Sequence, residues 1–124
     1  MKKSLILTSI LLFAAARPVV AEDTGLASIH DLKYETGRRV CMSDHFHDGN
    51  GSGATRKEAE AAAKKSWIEF TAFEYGGVWG NYKLAESKSA DCTEVAEKWT
   101  CAISARPCKR YVKPTDDVSQ SASR

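Results

Sequence analysis

Between Thr55 and Tyr75 the chain reads TRKEAEAAAKKSWIEFTAFEY, and a helix there limits what the remainder can become. Ala59, Ala63, Trp67 and Phe70 recur at the spacing of one helical face, with Ala62, Ser66 and Phe73 widening the stripe. Lys57, Glu60, Lys64 and Glu74 fall on the opposite side. Thr55 and Glu58 form the T-x-x-E pattern in which each side chain satisfies an orphan backbone donor at a helix start. Gly76 and Gly77 supply the stop. A helix of this length spans about 30 Å at about 1.5 Å per residue. Its stripe of alanines followed by aromatics suits a sheet that lies close at one end and farther away at the other.

The residues ahead of that helix divide into a leader and a lead-in arm. Lys2 and Lys3 precede the apolar run SLILTSILLFAAA, and Val19-Val20-Ala21 resembles a small-residue cleavage site before Glu22. Residues 1–21 therefore read as a signal peptide, with a soluble mature protein in the bacterial periplasm or outside the cell. The whole chain has 18 basic and 16 acidic residues; losing Lys2, Lys3 and Arg17 with the leader leaves 15 basic against 16 acidic. A nucleic-acid role thereby loses its electrostatic footprint. Residues 22–37 form the arm, in which Leu26, Ile29 and Leu32 suit one turn of helix and His30 has no evident partner.

Residues 38–112 form one α+β domain of modest core. Arg38–Asp48 reads as the first strand, with Val40, Met42 and Phe46 on one face and Cys41, Ser43, His45 and His47 on the other. Asp44 sits awkwardly on the apolar face. Asn50-Gly51-Ser52-Gly53 reads as a break leading into the helix. A polar second strand spans Tyr82–Cys92, a turn spans Thr93–Glu97, and a better third strand spans Lys98–Ala105. Pro107 closes the third strand, and residues 113–124 have the composition of a disordered tail. The expected fold is strand–helix–strand–strand: one long helix on a three-stranded antiparallel sheet, with the third strand central and the second at an edge. Trp67 should pack against Trp99 and Ile103.

An exported domain oxidises paired cysteines. Cys92 and Cys101 flank the hairpin turn, and the favoured sheet order brings Cys41 beside Cys108. The expected disulfides are thus Cys41–Cys108 and Cys92–Cys101, worth about 4 and about 3 kcal/mol in the chain-entropy model.

The run DHFHDGNGSGATRKEAEAAAKKSWIEFTAFEYG, then W-x-x-Y-x-x-A, a cysteine, W-T-C and R-P-C, resembles a group of small exported proteins of alphaproteobacteria. The resemblance covers about Val40 to Cys108 and brings no catalytic residues with it. The element order is similar to that of dodecin, as topology alone.

Candidate chemistry concentrates in Asp44-His45-Phe46-His47-Asp48. On a strand, His45 and His47 share a face about 7 Å apart, a spacing at which two imidazoles can share Zn²⁺ or Cu²⁺. The adjacency of Ser43, Asp44 and His45 argues against a hydrolytic triad, whose members converge from separate elements. Tyr75, Trp79 and Tyr82 cluster after the helix, where they either line a recognition surface or cover the end of the core. The sequence thus points to a non-enzymatic module without cofactor that binds an envelope protein or itself, with a metal-binding protein using His45 and His47 as the alternative. The helix covers one sheet face. The open face should carry Ser43, His45 and His47 beside Thr100, Ala102, Ser104 and Arg106, placing any binding site at His45, His47 and Arg106.

Overall fold

A computed structural model describes residues 22–111; the expected leader and tail lie outside the described residues. The fold is α+β, with α1 (Arg56–Tyr75) packed on antiparallel strands. The strands form two small sheets rather than one. β1 (Leu32–Glu35), β2 (Arg39–Met42) and β6 (Cys108–Arg110) pair in the order β1-β2-β6. β3 (His47–Gly53), β4 (Glu86–Val95) and β5 (Lys98–Arg106) pair in the order β3-β5-β4. The larger sheet therefore has the expected arrangement, with the last long strand central and the polar strand at an edge.

The expected first strand, Arg38–Asp48, is split between the sheets. β2 ends at Met42 and the chain crosses through Ser43–Phe46 before β3 begins. Arg106 fixes this crossing: its Nη1 donates to Met42 O at 2.7 Å and Ser43 O at 3.2 Å, and its Nε donates to Ser87 Oγ at 3.2 Å. A β5 guanidinium thus satisfies carbonyls at the end of β2. The arm contributes a 3₁₀ turn at Leu26–Ile29, as the apolar spacing suggests, and also the edge strand β1, which its composition does not announce.

Asn50–Gly53 is strand rather than break, and the reason is steric. In register, His47 lies opposite Ala105, Gly49 opposite Ile103 and Gly51 opposite Cys101. Those β5 partners are buried under α1, so the odd-numbered residues of β3 face the helix. A Cβ on Gly49 would lie 2.7 Å from Trp67 N, and one on Gly51 would lie 2.6 Å from Ala62 Cβ. Alternate glycines on the strand and small residues on the helix let two backbones meet. His47 is the first residue of this parity to carry a side chain.

The helix begins with the expected reciprocal cap between Thr55 and Glu58. It ends at Gly76 with φ 100° and ψ 158°, a positive-φ but not left-handed helical conformation, where the arm crosses at Glu22. Its buried residues are Ala59, Ala63, Trp67, Thr71 and Tyr75, each four apart. Such a row drifts about 40° around the helix per step, so the buried face turns along its length. The early part meets a core of Ala85, Cys101, Ile103 and Ala105, with Trp99 packed beside it. Tyr75 meets a second core of Ala27, Val40, Met42 and Trp79. Phe70 and Phe73, expected in the stripe, lag behind the drift and are 50% and 85% exposed. Trp67 is buried as expected, and its Nε1 donates to Ala105 O at 3.3 Å.

Both expected disulfides are present, Cys41–Cys108 and Cys92–Cys101. Each joins directly opposed residues, across β2–β6 and β4–β5 respectively. The first ties the short β6 to β2; the second sits near the Ala96-Glu97 turn, where both residues have positive φ.

Two substitutions test this packing. Gly51→Ala should cost about 1–3 kcal/mol or more in a urea melt, because the added methyl meets helix backbone, whereas Asn50→Ala on the open face should change stability by less than about 0.5 kcal/mol. Trp67→Ala should cost about 3–5 kcal/mol, and a loss below about 1 kcal/mol would contradict its place in the core.

Candidate metal centre

The two cores meet at a polar seam. His47 and Thr71 are the buried polar side chains among the described residues, and they bond to each other: His47 Nδ1 lies 2.9 Å from Thr71 Oγ1. The Thr71 hydroxyl has one proton, which it donates to Trp67 O at 2.7 Å. Thr71 must therefore accept from His47, and the imidazole carries its proton on Nδ1.

That tautomer leaves a lone pair on Nε2. His47 is only 2% exposed, and Nε2 has no hydrogen-bond partner. It lies 3.1 Å from Glu74 Oε2, a distance within ion-pair reach but without hydrogen-bond geometry. Nε2 and the carboxylate are therefore close without being aligned for an N–H···O bond. With the imidazole neutral, two acceptor atoms lie 3.1 Å apart. A cation bound by both atoms would convert that repulsion into attraction.

His45 completes a compact donor set. It leaves the Ser43–Phe46 crossing half-buried, with its ring 5.0 Å from that of His47. Donor atoms of His45, His47 and Glu74 all lie within 4.8 Å of one another. Ligand atoms about 2.0–2.1 Å from a tetrahedral zinc ion lie about 3.4 Å apart, so small rotations of the half-buried His45 and Glu74 close the set. Tyr75 supports the site from behind, its ring stacked 5.0 Å from that of His47.

Burial pushes the His47 imidazole pKa down, and His45 and His30 push the same way, against the opposing Glu74 and Asp48 carboxylates. Burial likewise lowers His45, aided by His30 and opposed by Glu74. Both histidines are thereby biased toward the neutral, ligating form. The Tyr75 phenol is pushed up to about 12, first by burial and then by the Glu74 carboxylate, so it remains protonated.

His45 and His47, expected on the open face of the sheet, lie together on its helix side. His47 lies on the helix side of β3, near the last turns of α1, because the glycine parity turns it inward, and His45 reaches it from the crossing ahead of β3. Arg106 is not free to receive a ligand there: its side chain is 12% exposed and occupied with carbonyls, Ser87 and Glu35. It positions the crossing that carries His45. Glu74, expected on the outer side of the helix, reaches His47 because of the helical drift. His30, without an evident partner in the sequence, stacks on His45 with ring centroids 4.0 Å apart. Alternate glycines ahead of an alanine-rich helix are the signal that turns His47 toward Thr71 and Glu74.

Comparison with protein-family models, curated proteins and solved structures finds no match to this chain.

In metal-free protein the lowered histidine pKa values make stability depend on acid. Relative to an ordinary 6.5, the unfolded chain takes up protons before the folded chain does. Stability should be complete above that pH and decline as pH falls below it, until the folded histidines protonate. Chelator-treated protein should therefore unfold at lower urea at about pH 5.5 than at about pH 7.5, and His47→Gln should flatten the difference. Equal midpoints for the unsubstituted protein at the two pH values would contradict this assignment.

Proposed function

We propose that this protein binds a divalent transition-metal ion in an oxidising compartment, with His47, His45 and Glu74 as ligands. The observation that carries the reading is the buried, unpartnered His47 Nε2, whose ring is held by Thr71 and which has a Glu74 carboxylate oxygen 3.1 Å away. Thr71 acts as the outer partner that orients a ligating histidine, a recurrent arrangement at metal sites. All four cysteines are in disulfides, so the donor set is imidazole and carboxylate without thiolate. Such a set suits Zn²⁺ and Cu²⁺. Export is supported by the leader pattern and by the two disulfides, and no helix of the described residues is long and apolar enough to cross a membrane.

A second reading, a module that docks an envelope protein or another copy of itself, draws on the exposed Phe46, Phe70 and Phe73. Metal titration separates the two. Calorimetric titration of chelator-treated protein with Zn²⁺ should give one site of micromolar or tighter affinity. His47→Ala and Glu74→Gln should each weaken it by more than about 100-fold, beyond the usual cost of losing an outer-sphere partner. At 100 times the dissociation constant, Zn²⁺ should raise stability by about 2.7 kcal/mol. Absence of saturable binding at micromolar Zn²⁺ and Cu²⁺ would overturn the metal reading.

A further inference from the structure

His30 stands at the edge of the donor set, on a segment whose attachments converge on the same residues. Thr24 N donates to Tyr75 O at 3.0 Å, and Thr24 Oγ1 donates to Glu74 O at 2.8 Å. The segment is therefore bonded to the backbone of a proposed ligand and of its neighbour. Ala27 is buried in the second core with Tyr75 and Trp79, and Asp23 forms an ion pair with Lys109. Just beyond the 3₁₀ turn, Ser43 N donates to Asp31 O at 2.9 Å. That bond ties the residue after His30 to the crossing that carries His45.

The two imidazoles so joined form one wall of an opening. A cleft of about 310 Å³ is lined by Ile29, His30, Asp31, Asp44 and His45. Two aspartates at its rim would draw a cation inward, and His30 and His45 are the first nitrogen donors it would meet. His30 Nε2 also lies 2.8 Å from Tyr75 Oη. With the phenol as donor, that bond covers the lone pair by which His30 would ligate. Three protein ligands leave a tetrahedral ion one position short, and His30, stacked on His45 outside the set, is a further imidazole that would reach the ion by turning away from that stack and from Tyr75.

We propose that His30 is the fourth ligand, exchanging its Tyr75 hydrogen bond for the metal and thereby clamping the lead-in arm onto α1. The inference rests on the His45–His47–Glu74 reading. It makes the arm a metal-responsive element: held by a few hydrogen bonds and Ala27 without the ion, and cross-linked through the ion to β3 and the helix end when it binds. No covalent step is involved, and the ion replaces the phenol as the partner of His30 Nε2.

Two measurements on the protein and its His30→Ala variant test the proposal. Electron paramagnetic resonance of the protein with one equivalent of Cu²⁺ should show coupling to three imidazole nitrogens, falling to two in His30→Ala. Hydrogen exchange at the amides of Thr24, Ser28 and His30 should slow at least about tenfold when Zn²⁺ saturates the unsubstituted protein. In His30→Ala, residues 24 and 28 should show little metal-dependent change, whatever the variant does to the arm without metal. If both proteins bind the ion with the same two-nitrogen spectrum and the arm is not protected, His30 is not a ligand while the three-residue site stands. If the unsubstituted protein binds neither ion, the underlying site reading fails and this inference fails with it.

Discussion

The close approach of α1 to β3 is the contact on which the remaining arrangement depends. Backbone can meet backbone there because Gly49 and Gly51 present no side chain to Ala62, Ala63 and the start of Trp67. This contact fixes the facing parity of β3, and parity is an all-or-none variable: a one-residue slip sends every side chain to the other face. With glycine at 49 and 51, His47 is the next inward position. The strand therefore delivers an imidazole into the space that opens where the helix changes from small residues to Trp67 and Thr71.

The helix supplies the rest through its drift. A buried row spaced by four residues moves around the axis, so one helix serves two cores and passes a polar seam between them. Burying His47 and Thr71 without partners would be costly, and their mutual bond together with Thr71 to Trp67 O removes most of that cost. What remains is one unpartnered ring nitrogen beside one carboxylate. In a core of this size, an uncompensated polar contact is a large expense to retain on structural grounds alone. The proposed cation would convert it into a ligand set.

Several parts of this architecture were legible in the residues. The T-x-x-E start, the Trp67-centred face, the central Lys98–Ala105 strand and both cysteine pairings follow from local pattern and chain order. The rest required knowledge of what lies opposite. Glycine at 51 and 53 has the same composition in a loop as in a strand pressed against alanines, and only the facing helix distinguishes them. Phe70 and Phe73 obey helical spacing, yet the stripe that is buried is inclined rather than straight. His30 and Glu74 lie 44 positions apart, so no local periodicity relates them to His47. The histidine pair was visible; its surroundings were not.

The proposed site depends on His47 carrying its proton on Nδ1 and offering Nε2 to a cation. Nitrogen-15 correlation spectra of the imidazole rings, recorded on chelator-treated protein at about pH 7.5 and repeated with one equivalent of Zn²⁺, test it directly. The expected result is the Nδ1–H tautomer of His47 without metal, with the Nε2 resonance moving to the metal-bound position when Zn²⁺ is added. An Nε2–H tautomer, or an Nε2 resonance unmoved by Zn²⁺, would contradict it.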